Sequence, residues 1–181
     1  AAGICAKYSA RNDTKKVCLV GAGVIGRTMI MAMAEVIKKL EEIHIVDLDI
    51  QKADALVDEF KDEHNIKSYT NLENALDDAD LVVTQTTARS CFIEKAWLKK
   101  NATLIQMETN SFSEETILSA DNIILDNWSQ MSKNKGSINT LYKKNEIDKE
   151  NIVELEELVT NKKEGRKYDD ELIYFGTNGT G

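Results

Sequence analysis

The 181-residue chain contains no proline, a deficit that carries no functional reading. Histidine is almost as scarce. His44 falls inside an apolar, strand-like run and His64 in a charged stretch, and neither has a companion at metal-ligand spacing. Cys5, Cys18 and Cys91 are odd in number and far apart. They read as free thiols in a reducing compartment, against a disulfide framework or a zinc site. No apolar run approaches the roughly 18 residues that cross a bilayer, and the stretch Ala1 to Arg11 lacks the charged lead-in of a signal peptide. Positive charge is in deficit as well. The net charge of -8 repels the phosphates of nucleic acid and is compatible with a cytoplasmic enzyme. No Ser–His–Asp or Cys–His arrangement stands out. Trp97 and Trp128 read as packing residues rather than as platforms for a cofactor.

What is present is an ordinary globular balance, 42% hydrophobic and 30% charged, in a length that fits one domain. The chain begins Ala1-Ala2 and stops at Thr177 to Gly181, just after an apolar run, so we expect residues 1–181 to be one domain of a larger protein. Strands and helices alternate, which argues for a parallel α/β sheet. Val17–Val20 reads as the first strand. Ile25, Met29, Ala32, Val36 and Leu40 then recur at helical spacing. Ile43–Val46 is the second strand, and Asp49 is placed to cap the next helix. Ile66–Tyr69, Leu81–Val83, Leu104–Met107 and Ile123–Leu125 follow as short apolar strands, of the kind buried on both faces. Thr70 and Glu73 form a plausible capping box. Glu150–Lys163 reads as a helix with a solvated charged face, and Leu172–Phe175 as a late strand. The fold class expected is α/β: a Rossmann-type, doubly wound, mainly parallel sheet in a three-layer αβα arrangement.

The strongest chemical signal is Gly21-Ala22-Gly23-Val24-Ile25-Gly26, a G-x-G-x-x-G run that follows a strand and opens an amphipathic helix. Gly21 permits the tight turn, Gly23 leaves room for a pyrophosphate, and Gly26 lets the helix pack closely on the strand. Exposed N–H groups and the helix dipole, at residues 21–25, then attract phosphate. A glycine turn serving packing alone is the competing reading. Asp47, followed by Leu48, ends the second strand about 20 residues beyond the glycines. A carboxylate there accepts from ribose hydroxyls and repels a 2′-phosphate, favouring NAD over NADP; otherwise Asp47 simply starts a turn. Thr84, Gln85, Thr86 and Thr87 follow the fourth strand, where they either touch the ribose and nicotinamide or cap a helix. Met107 to Asn110 occupies the matching place after the fifth strand. Glu108 is a candidate acid or base there, and Asn110 a candidate for orienting a polar substrate.

Several ordered motifs resemble the NAD domain of the ornithine cyclodeaminase/mu-crystallin family. They are Ala1-Ala2-Gly3 with Lys7-Tyr8, Val20-Gly21-Ala22-Gly23, Val46-Asp47-Leu48-Asp49, Ala79 to Thr87, and Glu164-Gly165-Arg166 followed by Asp169-Asp170-Glu171. The resemblance implies NAD as cofactor, an amino or imino acid as substrate, and a homodimer whose second domain lies outside these residues. It implies hydride transfer between the substrate Cα and the nicotinamide, as dehydrogenation, imine reduction or cyclodeamination. A non-catalytic, NAD(P)H-dependent ligand binder of mu-crystallin type is the alternative. One departure stands out. Cyclodeaminases of the family carry a catalytic Asp at or near the position of Asn110, in a loop with Gly and Pro. This chain reads Met107-Glu108-Thr109-Asn110-Ser111-Phe112-Ser113 there. An amide does not exchange a proton as a carboxylate does, which puts ornithine cyclisation in doubt.

Overall fold

The computed structural model describes residues 1–88, 90–108 and 110–177. Thr109 and the last four residues, both within stretches singled out above, lie outside the described residues. The elements run α1 (Ala2–Ser9), β1 (Lys16–Val20), α2 (Val24–Val36), β2 (Glu42–Val46), α3 (Ile50–Phe60), β3 (Ile66–Tyr69), α4 (Leu72–Leu76) and β4 (Leu81–Thr84). Then come β5 (Thr103–Gln106), α5 (Glu114–Leu118), β6 (Asn122–Leu125), α6 (Trp128–Met131), α7 (Ser137–Lys143), β7 (Ile152–Glu154), α8 (Leu155–Val159) and β8 (Ile173–Gly176). The eight strands form one sheet in the order β3-β2-β1-β4-β5-β8-β6-β7, and every described ladder is parallel.

Alternate residues of each strand feed two separate cores. Val17, Leu19, Ile43, Ile45, Leu81, Val83, Ile105 and Phe175 pack with α1, α2, α3 and α8. Cys18, Val20, Val82, Leu104, Leu125 and Tyr174 pack with α4, α5, α6 and α7. This is why the strands read as unbroken apolar runs: both faces of the sheet are covered. The result is the three-layer αβα arrangement expected.

Three local expectations are corrected. Asn71, not Thr70, caps α4, its side chain accepting from the Asn74 N–H at 2.8 Å. The helix after the glycines ends at Val36, because Ile37 turns extended and donates to the Met33 carbonyl. Residues 150–163 are not one helix. Ile152 and Val153 are buried in opposite cores, a period of two that makes β7. Glu154 and Glu157 then form a reciprocal capping box that starts the short α8. In α1, Ala2, Cys5, Ala6 and Ser9 share a buried face.

The amino edge of the sheet is tied by two charged side chains, a buried Asp80 and a half-buried Arg166. Asp80 accepts from Arg11 Nη2 at 2.9 Å and Lys99 Nζ at 2.8 Å, and from the backbone N–H groups of Lys15 and Lys16 at 2.8 and 3.2 Å. Arg166 donates to the carbonyls of Ser9 (2.8 Å) and Glu171 (2.5 Å) and to Thr103 Oγ1 (3.2 Å), which holds the turn before β8 against α1 and β5. Two of the family-like motifs, at 79–80 and 164–171, thus serve the fold. Burial alone would raise the Asp80 carboxyl, but Lys99 and the two N–H groups outweigh it and hold it below the ordinary aspartate value of 3.8. The stabilisation is therefore complete above that value and lost as pH falls through the lower folded one. Asp80→Asn is expected to cost about 3 kcal/mol at neutral pH. The gap from wild type should close in acid, as read by urea denaturation across pH.

Candidate functional site

The chain passes from β1 to β2 and β3 on one side, then returns to β4 on the other side of β1. In a sheet of this topology the loops after two such strands part at the carboxyl edge, which is where a ligand crevice is expected. The glycine turn sits at that point. Gly21 has φ +107°, donates to the Val46 carbonyl at 2.8 Å, and accepts from Gln85 Nε2 at 2.8 Å. A Cβ on Gly21 would lie 2.8 Å from the Gln85 carbonyl oxygen. Gly26 is also crowded: a Cβ there would lie 3.0 Å from Leu56 Cδ1 of α3 and 3.5 Å from the Gly21 carbonyl oxygen at the end of β1, so the helix approaches both. Gly23 differs from both: a Cβ there would meet nothing within 4 Å. It precedes α2 with no side-chain cap, which leaves the first turn of that helix open to an anion.

Asp47 lies against this loop. Its Oδ2 accepts from the Ala22 N–H at 2.7 Å and its Oδ1 from the Asp49 N–H at 2.9 Å. Asp49 in turn caps α3 through the Gln51 N–H. The turn-forming role of Asp47 is thus real, and it props the glycine loop as well. Leu48 and Val24 are wholly uncovered, at 109% and 98% exposure, and Ile25 is exposed beside them in sequence. Large apolar groups left bare at a crevice suit a flat partner such as an adenine ring.

Behind β4 and β5 the picture is polar. Thr84 is fully buried, and its hydroxyl donates to Glu108 Oε1 at 2.8 Å. Glu108 Oε2 is buried with no hydrogen-bond partner. Met107 donates its N–H to the Thr84 carbonyl and packs on the core beneath. Thr86 does not cap a helix: its hydroxyl accepts from the Ala88 N–H in a local turn. Asn110 is half-buried in the loop that returns through Phe112, whose N–H donates to Gln106 Oε1.

Sequence reasoning missed Tyr174. This side chain is fully buried in β8, and its hydroxyl, also without a partner, lies 3.0 Å from where a Cβ on Gly176 would be. Burial, then the charge of Glu108, pushes its ionisation far above the usual range. Nothing in the spacing connects residue 174 with 108, because the link exists only once β8 lies beside β5. The other candidates are structural. His44 contacts the Ala75 carbonyl through Nδ1 at 2.8 Å and the Tyr69 hydroxyl through Nε2 at 3.1 Å. Burial pushes the Cys5 thiol up to about 12, making it inert. Trp128 packs edge-on against Tyr142. Among the described residues no cluster of His, Cys, Asp and Glu could hold a metal, and no helix is long and apolar enough to cross a membrane.

A parallel sheet with its glycine turn at the crossing between β1 and β4 defines a Rossmann-type protein. The model of the ornithine cyclodeaminase/mu-crystallin family matches residues 1–181, and the chain belongs to that family. N-((2S)-2-amino-2-carboxyethyl)-L-glutamate dehydrogenase of Staphylococcus aureus is 29% identical over 180 residues, which cover 97% of this chain and 54% of that enzyme. The structure of Thermococcus litoralis Delta(1)-pyrroline-2-carboxylate reductase in complex with NADH and L-proline is similar with TM-score 0.88 and 26% identity, over 98% of this chain and 57% of that one. An archaeal alanine dehydrogenase dimer with bound NAD shares the fold, with TM-score 0.85 at 24% identity, over 98% of this chain and 56% of that one. The chain therefore spans about half the length of these relatives.

The glycines separate cleanly by test. Gly21→Ala is expected to cost roughly 1–3 kcal/mol, through its positive φ and the backbone oxygen in its way. Gly23→Ala should leave the melting temperature nearly unchanged, and equal losses in the two variants would contradict the geometry.

Proposed function

We propose that residues 1–181 form the NAD(H)-holding domain of an amino- or imino-acid oxidoreductase. The observation that carries this reading is the contrast at the glycine turn: Gly21 is locked by its neighbours, whereas Gly23 faces open space at an uncapped helix start. Packing alone explains Gly21 and Gly26 but gives no reason for a glycine at 23. In this reading Gly21, Ala22, Gly23, Val24 and Ile25 hold the pyrophosphate, and Asp47 with Leu48 receives the adenosine. Thr84, Gln85, Thr86 and Met107 border the nicotinamide end. The carboxylate of Asp47 keeps lone pairs for ribose hydroxyls while it props the loop, and its charge disfavours a 2′-phosphate.

The nicotinamide supplies a two-electron hydride acceptor or donor. An amino acid oxidised there loses hydride from Cα and a proton from nitrogen, giving an imino acid; reduction runs the reverse. Three features favour net dehydrogenation or imine reduction over cyclodeamination. Asn110 lies at or near the position where cyclodeaminases carry an Asp, the nearby acid Glu108 is turned onto Thr84, and the relatives named above are dehydrogenases and a reductase. Because those relatives are nearly twice as long, we assign the substrate carboxylate and dimer contacts to a second domain outside these residues, in a homodimer.

Gly23→Ala in the full protein is expected to weaken NADH binding at least about tenfold by crowding the pyrophosphate; unchanged affinity in a fluorescence titration would remove the assignment. Asp47→Ala should shrink the preference for NADH over NADPH, measured as a ratio of dissociation constants, and an unaltered ratio would exclude the ribose role. Incubation with NAD and a panel of amino acids should yield net NADH and an imino or oxo acid. Proline and ammonia from ornithine without net NADH would establish cyclodeamination instead, and tight NADH binding with no turnover would favour a ligand-binding protein.

A further inference from the structure

Six buried side-chain polar atoms among the described residues have no hydrogen-bond partner. Two, Arg11 Nη1 and Thr14 Oγ1, lie at the amino edge beside Asp80. Of the other four, Glu108 Oε2 and Ser111 Oγ lie in the loop after β5, and the Tyr174 hydroxyl in β8 interacts with Glu108, whereas Gln85 Oε1 belongs to a side chain that reaches Gly21 and Gly26 beside α2. Native proteins pair nearly all such atoms, so a concentration of orphans needs a physical reason.

Glu108 is the only acid among them. One oxygen is pinned by the Thr84 hydroxyl, and the other is sealed from water without a donor. Two neutral side chains act on it: Thr84, and a Tyr174 phenol that burial keeps protonated. No Lys, Arg or His among the described residues pairs with it, although Asp80 at the far edge gathers two cations. A carboxylate withdrawn from water and left without a cation is costly, and the cost is relieved when a positive charge arrives. Residue 108 as a whole is only partly buried, and it follows β5 at the edge that carries the glycine turn.

We infer that Glu108 is the counter-ion for the positively charged nitrogen of the substrate, an ammonium or an iminium. The site thereby selects nitrogen-bearing acids over 2-hydroxy acids of the same shape, with Thr84 as the positioning residue. This inference rests on the oxidoreductase reading and adds to it a determinant of substrate class. A neutral hydroxyl in the place of the nitrogen would leave the buried carboxylate without a counter-charge, which is how one buried charge discriminates.

The test uses the full protein with saturating cofactor. Its substrate is the amino acid with the highest kcat/KM in the panel, and its probe is the matching 2-hydroxy acid, added as a competitive inhibitor. Glu108→Gln keeps the shape and removes the charge. It is expected to raise KM for the amino acid about 100-fold, while Ki for the hydroxy acid and the dissociation constant for NADH stay within about twofold. Thr84→Val should raise KM for the amino acid about tenfold while Ki for the hydroxy acid stays within about twofold. Glu108→Asp should recover part of the loss, and it stands in as the test if Glu108→Gln fails to fold. An unchanged ratio of KM to Ki in these variants, with NADH still bound, overturns the inference and leaves the cofactor reading intact. A wild-type protein that binds no NADH, or turns over no amino or imino acid, overturns both.

Discussion

The conformation of Gly21 is the constraint on which the carboxyl edge depends. There the chain leaves β1 at a positive φ, with its N–H on β2 and its carbonyl on Gln85 behind β4. One residue therefore joins the ends of three adjacent strands. A side chain at that position would press on the Gln85 backbone and part them. Because Gly21 turns as it does, Ala22 meets Asp47, Gly23 is left facing open space, and α2 starts with its first turn unblocked.

The two edges of the sheet divide the labour. At the amino edge, Asp80 and Arg166 satisfy their charges internally and close the strands together. At the carboxyl edge, N–H groups stand uncapped, apolar side chains stand bare, and a carboxylate stands without a cation among the described residues. Motifs that look alike on paper thus separate into structural and functional ones only when each polar atom is followed to its partner. Ala79-Asp80 and Glu164-Gly165-Arg166 belong to the first kind. We propose the glycine run and Asp47 as the second kind, with Asp47 contributing to the first as well.

Most of the core fold was legible because its strands are buried on both faces and so read as apolar runs between polar turns. β1 through β6 and the glycine turn followed from local pattern alone. β7 was hidden because acids crowd around two apolar residues, and their capping role in α8 looks in sequence like a charged helix face. The placement of β8 between β5 and β6 was not legible at all, since strand order is a property of the assembled sheet. That placement is what brings Tyr174 to Glu108, so the polar cluster behind β5 was half visible: the acid was singled out, its surroundings were not. Asn110 marked a departure from the cyclodeaminase pattern, and the structure adds that the neighbouring acid is already held by Thr84.

A crystal structure of the full protein grown with NADH bears most directly on this account. Pyrophosphate is predicted over Gly23 and the first turn of α2, with the ribose hydroxyls of the adenosine on the Asp47 carboxylate. A dinucleotide seated elsewhere, or a pyrophosphate away from Gly23, would contradict it.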